Sequence, residues 1–162
     1  MTKNLIIRSA TAADRLRLRQ AIVELQDYER THHPTRLPGE QIADAYLDWM
    51  LQKAETEGAV LVAESGGVFA GFVAGWIEET ENIGETAASN RVGYISDICV
   101  LSHFRGRRIA TQLLNTIERH LSRAAVTRLR INSLAANQAA RACYEHAGFL
   151  PYEIIYEKSL IG

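Results

Sequence analysis

The chain has 162 residues, 47% hydrophobic and 23% charged, with a formal net charge of -1. That balance fits a soluble globular domain and excludes a molecule built overall to grip nucleic acid or an anionic membrane. No apolar run nears the roughly 20 residues of a membrane span, and the opening MTKNLIIRS lacks the apolar region and cleavage site of a secretion signal, so a cytoplasmic protein of one domain, residues 1–162, is expected.

Asn4 to Ser9 is predicted as the first strand. Thr11 and Asp14 match a capping box, in which a hydroxyl and an acid satisfy the free amides of a helix start. The helix is expected to reach about Thr31, with Leu16, Ile22, Val23 and Leu25 among its apolar positions. Two prolines and a glycine between His32 and Gly39 break it. A second helix, Glu40 to about Glu57, carries Ile42, Ala45, Tyr46, Trp49 and Met50 at helical spacing. Ala59 to Glu64 and Val68 to Ile77 read as strands around Ser65-Gly66-Gly67, a hairpin signal. Glu78 to Asn90 is polar and acidic, a predicted loop.

Strand four is predicted over Val92 to Leu101, followed by a turn, Arg105-Gly106-Arg107-Arg108, and a helix to about Arg123. Thr127 to Ser133 is the fifth strand, and Asn137 to Ala147 a helix closed by Gly148. Phe149 to Leu160 is expected to hold one or two more strands. This order, with one crossover helix between strands four and five, is that of a mixed-sheet α/β domain. The two cysteines, Cys99 and Cys143, fall in a predicted strand and helix, and read as small core residues rather than a disulfide or a zinc site.

The arginine turn is odd on electrostatic grounds. A helix N-terminus carries partial positive charge and normally takes Asp or Glu. Arginines there suit a bound anion, and several backbone N–H groups converging after a strand and a glycine make such a site. A pyrophosphate would satisfy both the amides and the guanidinium forks; a plain solvated face is the other reading. Nucleic-acid phosphate would need a wider basic surface than the net charge provides. Further on, positions 137, 140, 141 and 144 share one helical face. Asn137 starts that helix, Ala140 leaves room for close approach, and Tyr144 presents a phenol two turns along. A core aromatic with its hydroxyl at the rim is the alternative for Tyr144.

Taken together, Tyr94 to Ala110 and Asn137 to Phe149 resemble the two signatures of the GCN5-related N-acetyltransferase (GNAT) family. The first is a strand ending in a Val-like residue, then Gln/Arg-x-x-Gly-x-Gly/Ala, fitted by Arg105, Gly106, Ile109 and Ala110. Arg108 departs from it by replacing the motif's middle glycine, a place tolerable for a side chain at negative φ. The second is Asn-x-x-Ala-x-x-x-Tyr followed by Gly-Phe. The resemblance implies a single-domain fold with a mixed, mostly antiparallel sheet of six to seven strands, splayed between strands four and five and flanked by about four helices.

It further implies acetyl-CoA as co-substrate, without a metal. The backbone of Ile98, Cys99 and Val100 would pair with the pantetheine, while Arg105, Gly106, Arg107, Arg108, Ile109, Ala110 and Thr111 would hold the pyrophosphate. Asn137 and Ala140 would lie near the thioester, and Tyr144 would be the acid for the departing thiolate. For the base, family members that acetylate polyamines carry a Glu-Asp pair where this chain has Ser96-Asp97. Asp97, directly or through water, is one candidate, with a buried structural acid as its other reading; it alternates with Ser96 along the strand, so only one of the two is expected to face the gap. Glu29, His32 and His33 are others.

Glu29, His32 and Glu78 are expected at the acceptor site, and Glu78, Glu79, Glu81 and Glu85 in one loop would attract a cation. The expected reaction is direct transfer of an acetyl group to a primary amine, small and polyamine-like, in a ternary complex. The alternatives are a protein or peptide amine, or a catalytically weak CoA-thioester-binding regulatory module. The expected partner is a small-molecule amine, not nucleic acid or membrane, and the resemblance is compatible with a homodimer.

Overall fold

In a computed structural model, residues 4–161 are described; Met1 to Lys3 and Gly162, the ends of the expected single-domain span, lie outside them. Strands β1 (Leu5–Ser9), β2 (Gly58–Ser65), β3 (Val68–Glu79), β4 (Arg91–Val100) and β5 (Leu129–Ile131) form one sheet in that spatial order. Pairing is antiparallel from β1 through β4 and parallel between β4 and β5. The mixed, mostly antiparallel sheet is as expected.

Helices cover both faces of the sheet. Helices α1 (Arg15–Arg30) and α2 (Gly39–Ala54) bury Leu18, Ile22, Leu47 and Met50 against Val60, Val62, Phe72 and Trp76. On the other face, α3 (Ile109–Leu121) buries Leu113, Leu114 and Ile117 against Leu61, Ala63, Val73 and Ile95. Val60 and Val62 face one way and Leu61 and Ala63 the other, the period of two that a sheet covered on both sides demands. The fourth helix, α4 (Gln138–His146), follows β5. Leu16, expected among the apolar positions of the first helix, points to solvent, 65% exposed.

The β2–β3 connection is as expected: Ser65 pairs with Val68, and Gly66 and Gly67 have φ of +61° and +79°. Two consecutive positive φ values make the mirror-image turn that matches strand twist. Two predicted boundaries move. β3 runs on through Glu78 and Glu79, which the sequence reading put in a loop, because both residues keep ladder partners in Val92 and Arg91. The strands expected after Phe149 do not form, so the sheet has five strands among the described residues. The segment is rich in Ile and Tyr, but strand propensity without a paired neighbour makes no strand.

At the start of α1, Asp14 is 2% exposed and accepts from Arg8 Nη1 at 2.7 Å, Arg8 Nη2 at 2.9 Å and Thr11 N–H at 2.8 Å. The Arg8 bonds hold its carboxyl well below the usual range. Asp14→Ala is expected to cost about 3 kcal/mol, the low end for opening a buried pair, since Arg8 stays partly solvated and keeps Glu64. A depressed carboxyl stabilises above its unfolded pKa of about 4 and loses that contribution as pH falls through the folded value. Urea midpoints of wild type and variant should therefore differ at pH 7 and converge in acid.

Candidate functional site

The β4–β5 ladder contains three pairs, Gly93–Leu129, Tyr94–Arg130 and Ile95–Ile131, and stops there. Beyond Ile95, β4 continues to Val100 along β3 alone. The two parallel strands thus part at Ser96, and the β4 backbone from Ile98 to Val100 lacks a β5 partner on that side. The cause is local. Asp97 pairs with Ala74 while Ile95 pairs with the next residue, Gly75, so Ser96 is an extra residue, a bulge. Bulges end pairing and re-aim side chains.

That bulge overturns the strict Ser96/Asp97 alternation expected from the sequence. Ile95 and Ile98 pack with α3, while Asp97 and Cys99 both face α1 and α2. Asp97 is 9% exposed; Tyr46 Oη donates to its two oxygens at 2.9 and 3.1 Å, and Ser96 Oγ donates at 2.6 Å. Burial raises its carboxyl above the ordinary value despite those bonds. Cys99 donates to the Ala21 carbonyl at 3.7 Å and burial pushes its thiol up to about 12. It is an inert core thiol.

At the open end of β4 stands the N-terminus of α3. The first hydrogen bond into the helix runs from Gln112 N–H to the Arg108 carbonyl at 3.2 Å, so the amides of Ile109, Ala110 and Thr111 have no intrahelical acceptor. The turn before them carries Gly106 at φ +74° and Arg108 at φ +60°, ψ +19°. Arg108 is therefore left-handed, not at the negative φ expected of it. A glycine would take this conformation freely, whereas a residue with a Cβ holds it at a cost of roughly 1–2 kcal/mol. Arg108→Gly should consequently raise stability by about 0.5–1 kcal/mol after glycine's entropy is counted, read as a higher denaturant midpoint.

The arginines divide their work. Arg105 turns back into the protein: Nε donates to the Val100 carbonyl at 3.1 Å, Nη2 reaches Glu24 at 3.4 Å, and the guanidinium lies 5.3 Å from the Tyr28 ring centre. Glu24 also accepts from Ser102 N–H at 2.9 Å. Arg107 lies over Phe104 at 5.4 Å, and Arg107 and Arg108 are exposed. Glu24 and Tyr28, which brace the turn from α1, and Tyr46, which holds Asp97, were missed in the sequence. Only the face they share with Leu18, Ala21 and Ile22 could have pointed to the first two.

On the far side of the gap, Asn137 caps α4, its Oδ1 accepting from Ala140 N–H at 3.1 Å. Two turns on from that cap, Tyr144 is partly buried, edge-on to Phe149 at 6.2 Å between ring centres. Its phenol is raised well above the ordinary value, first by burial, then by Cys143 and by the Glu29 and Asp97 carboxylates. Tyr144, Glu29 and Asp97, from α4, α1 and β4, thus share one electrostatic neighbourhood.

Glu29, near the C-terminal end of α1, is raised by burial and by Asp97, with Arg36 Nε 3.3 Å away opposing. His32 packs edge-on to Tyr28 at 4.8 Å, and its Nε2 is buried without a hydrogen-bond partner. His33 pairs instead with Glu157 at 3.1 Å. The acidic loop expected from the sequence is dispersed. Glu79 pairs with Arg91 at 2.8 Å, Glu85 accepts from Tyr152 at 2.6 Å, and Glu78 accepts from Trp76 Nε1 at 3.2 Å. Of these Glu78 faces inward, where it helps raise the Tyr94 phenol. Positive charge thus gathers at the start of α3, with Arg107 and Arg108 exposed there, and negative charge at Glu29 and Asp97 near Tyr144, where the negative end of the α1 dipole adds to the same sign.

Residues 20–149 match the model of the acetyltransferase (GNAT) family. Comparison with curated proteins finds no match. Among solved structures, the chain is similar to an aminoglycoside N-acetyltransferase, AAC(6')-Iy, in complex with CoA (19% identity, 99% of this chain and 97% of that one, TM-score 0.72). It is also similar to a GCN5-related N-acetyltransferase from Ralstonia eutropha JMP134 (18%, 96% and 99%, TM-score 0.74). A third is a protein from Clostridium acetobutylicum described as a predicted acetyltransferase, solved with acetyl-CoA (17%, 98% and 97%, TM-score 0.70). At these identities the likeness is one of fold.

Proposed function

Because the chain belongs to the acetyltransferase (GNAT) family and is an N-acetyltransferase, we propose that it carries an acetyl group from acetyl-CoA to a primary amine, small and cationic, by direct attack with both substrates bound. The observation that carries this reading is the splay itself. The β4 edge loses its β5 partner at Ser96, and the free amides at the start of α3 stand at the end of that unpaired edge. An extended amide chain ending in a pyrophosphate matches both features, and two solved neighbours hold CoA or acetyl-CoA.

In this reading the pantetheine pairs with Ile98 to Val100 as an added strand, and Val100 N–H is the donor for the oxyanion of the tetrahedral intermediate. The pyrophosphate meets the amides from Gly106 to Thr111, with Arg107 and Arg108 outside them. Arg105 braces the turn, and Asn137 and Ala140 set the wall beside the thioester. The ammonium must lose a proton before it attacks, since an alkyl amine is almost wholly charged at neutrality. Glu29 takes that proton: its raised pKa moves it toward the working pH, as a base requires. Asp97, with its oxygens bonded to Tyr46 and Ser96, acts through its charge, raising Glu29 and drawing the cation. His32 and Glu78 line the acceptor side. The amine lone pair forms the C–N bond, the C–S bond breaks as Tyr144 gives its proton to the departing sulfur, and the second proton of the amine nitrogen restores the Tyr144 hydroxyl, leaving the amide and free thiol.

Incubation with acetyl-CoA and a panel of amines, followed by free thiol, tests the reading. Thiol should appear only when amine is present, and kcat/KM should rise with pH through the raised Glu29 pKa. Glu29→Gln should lower the rate and flatten that acid limb. Glu78→Gln should raise the KM of the amine and leave that of acetyl-CoA unchanged. Tight CoA binding with no thiol release from any amine would instead mark a binding module.

A further inference from the structure

Four aromatic rings stand in one row on the α1 and α2 face of the sheet. Tyr46 and Trp49, neighbouring turns of α2, have ring centres 5.2 Å apart. Trp49 meets Trp76 of β3 edge-on at 5.3 Å, and Trp76 meets Tyr94, its cross-strand partner on β4, at 6.0 Å. Trp76 is 2% exposed and Trp49 40%, so the row runs from the core out to solvent. Its β4 end lies near Tyr144, whose phenol Tyr94 and Asp97 both help to raise. Asn132, just past the last β4–β5 pair, donates to Tyr94 Oη at 3.3 Å.

Such a row is ordinarily core, and Trp76 is core. A core, however, does not hold carboxylates without a cation. Glu78 accepts from Trp76 Nε1 at 3.2 Å, and both Asp97 oxygens accept from Tyr46 Oη at 2.9 and 3.1 Å. Among the described residues neither of these carboxylates has an ion-pair partner, whereas neighbouring Glu79 has Arg91 and Glu29 has Arg36. Guanidinium groups lie over Tyr28, Phe104 and Tyr152, and among the described residues over none of the four rings in the row. Rings and acids together therefore await a cation from outside the chain. A ring face attracts a cation best when that cation surrenders little water. An alkylated ammonium meets this condition better than a compact, strongly hydrated ammonium. The nearby carboxylates supply counter-charge without requiring an N–H donor.

We propose that this row is the subsite for the far end of the acceptor, an alkylated ammonium carried on the same molecule as the reacting primary amine, and that Trp49 at the solvent end selects it. The inference rests on the acetyl-transfer reading for where the reacting amine lies. The probes are ω-aminoalkyl trimethylammonium ions of graded chain length, each beside its neutral tert-butyl isostere and the plain diamine. At the best length, kcat/KM for the trimethylammonium ion should exceed that for the isostere by about ten-fold, within what aromatic faces give a partly desolvated cation. Trp49→Leu should bring that ratio within about two-fold, through the KM of the cation, and Trp49→Phe should restore most of it. Because the ratio compares two amines on one protein, any loss of folded enzyme cancels from it. Tryptophan emission, titrated with the trimethylammonium amine in the presence of CoA, reads the subsite without turnover, since Trp49 and Trp76 are the chain's two tryptophans. A saturable shift without thiol release would keep the subsite and overturn acetyl transfer. Thiol release equal for cation and isostere, or faster for the diamine, would overturn the inference and leave acetyl transfer standing, as would a ratio that Trp49→Leu does not move. Neither shift nor thiol would end both.

Discussion

Tyr144→Phe should lower kcat by about 10²- to 10³-fold while leaving the KM of acetyl-CoA within a factor of two. The substitution removes one oxygen and keeps the ring, whose edge-on packing with Phe149 lies on the side of the core formed with α3. Folding stability should change by less than about 1 kcal/mol, the net worth of one hydroxyl hydrogen bond. The chemistry should change far more. Burial and the neighbouring Glu29 and Asp97 charges keep the phenol protonated well past neutral pH, so throughout the working range it stands as a donor. A departing thiolate, with a parent pKa near 8.5, is stabilised by that donor only as the C–S bond breaks, which is why the loss should fall on kcat and not on binding. An unchanged kcat would make Tyr144 a packing residue and send the proton elsewhere.

Gly106→Val should weaken CoA binding by about 100-fold, which at 1.36 kcal/mol per decade is roughly 2.7 kcal/mol. Gly106 sits at φ +74° with nothing within 4 Å of where a Cβ would stand, so a side chain meets no clash and the penalty is in the backbone alone. A β-branched residue avoids that region strongly and would drag the turn to negative φ, moving the amides of Arg107 to Ile109 away from a common point. Because the turn is exposed, stability should fall by only about 1–2 kcal/mol. Set beside Arg108→Gly, which relaxes the same turn, the pair separates backbone geometry from charge. The two variants should move stability in opposite directions.

Several features of this site were legible before any coordinates. The glycine-arginine turn, the Asn137-to-Tyr144 face and the crossover between β4 and β5 are local in sequence, and each carries its own physical reason. The bulge at Ser96 was not legible, because an extra residue in a ladder is a property of pairing with β3 and not of β4 alone. Missing it led to the expectation that Ser96 and Asp97 would alternate, when Ser96 instead donates to Asp97. The left-handed Arg108 was hidden for a related reason: its side chain argues for negative φ, and the fold overrides that preference. Glu24, Tyr28 and Tyr46 act across long sequence separations, reaching residues 102, 105 and 97, which no periodicity within α1 or α2 encodes. The acidic cluster fails for the opposite reason. Four glutamates close in sequence predict one field, yet Glu79 pairs with Arg91 and Glu85 accepts from Tyr152. The segment after Phe149 shows the same limit, since its composition predicts a strand and strand propensity without a paired neighbour makes none.

In the proposed reading the amides and arginines at the start of α3 hold the pyrophosphate of coenzyme A. Calorimetric titration of the purified chain with CoA and, in parallel, with 4'-phosphopantetheine tests it most directly. One CoA should bind per chain, and truncation before the pyrophosphate should weaken binding at least 100-fold, about 2.7 kcal/mol. Equal affinity for the two, or no heat from either, would contradict it.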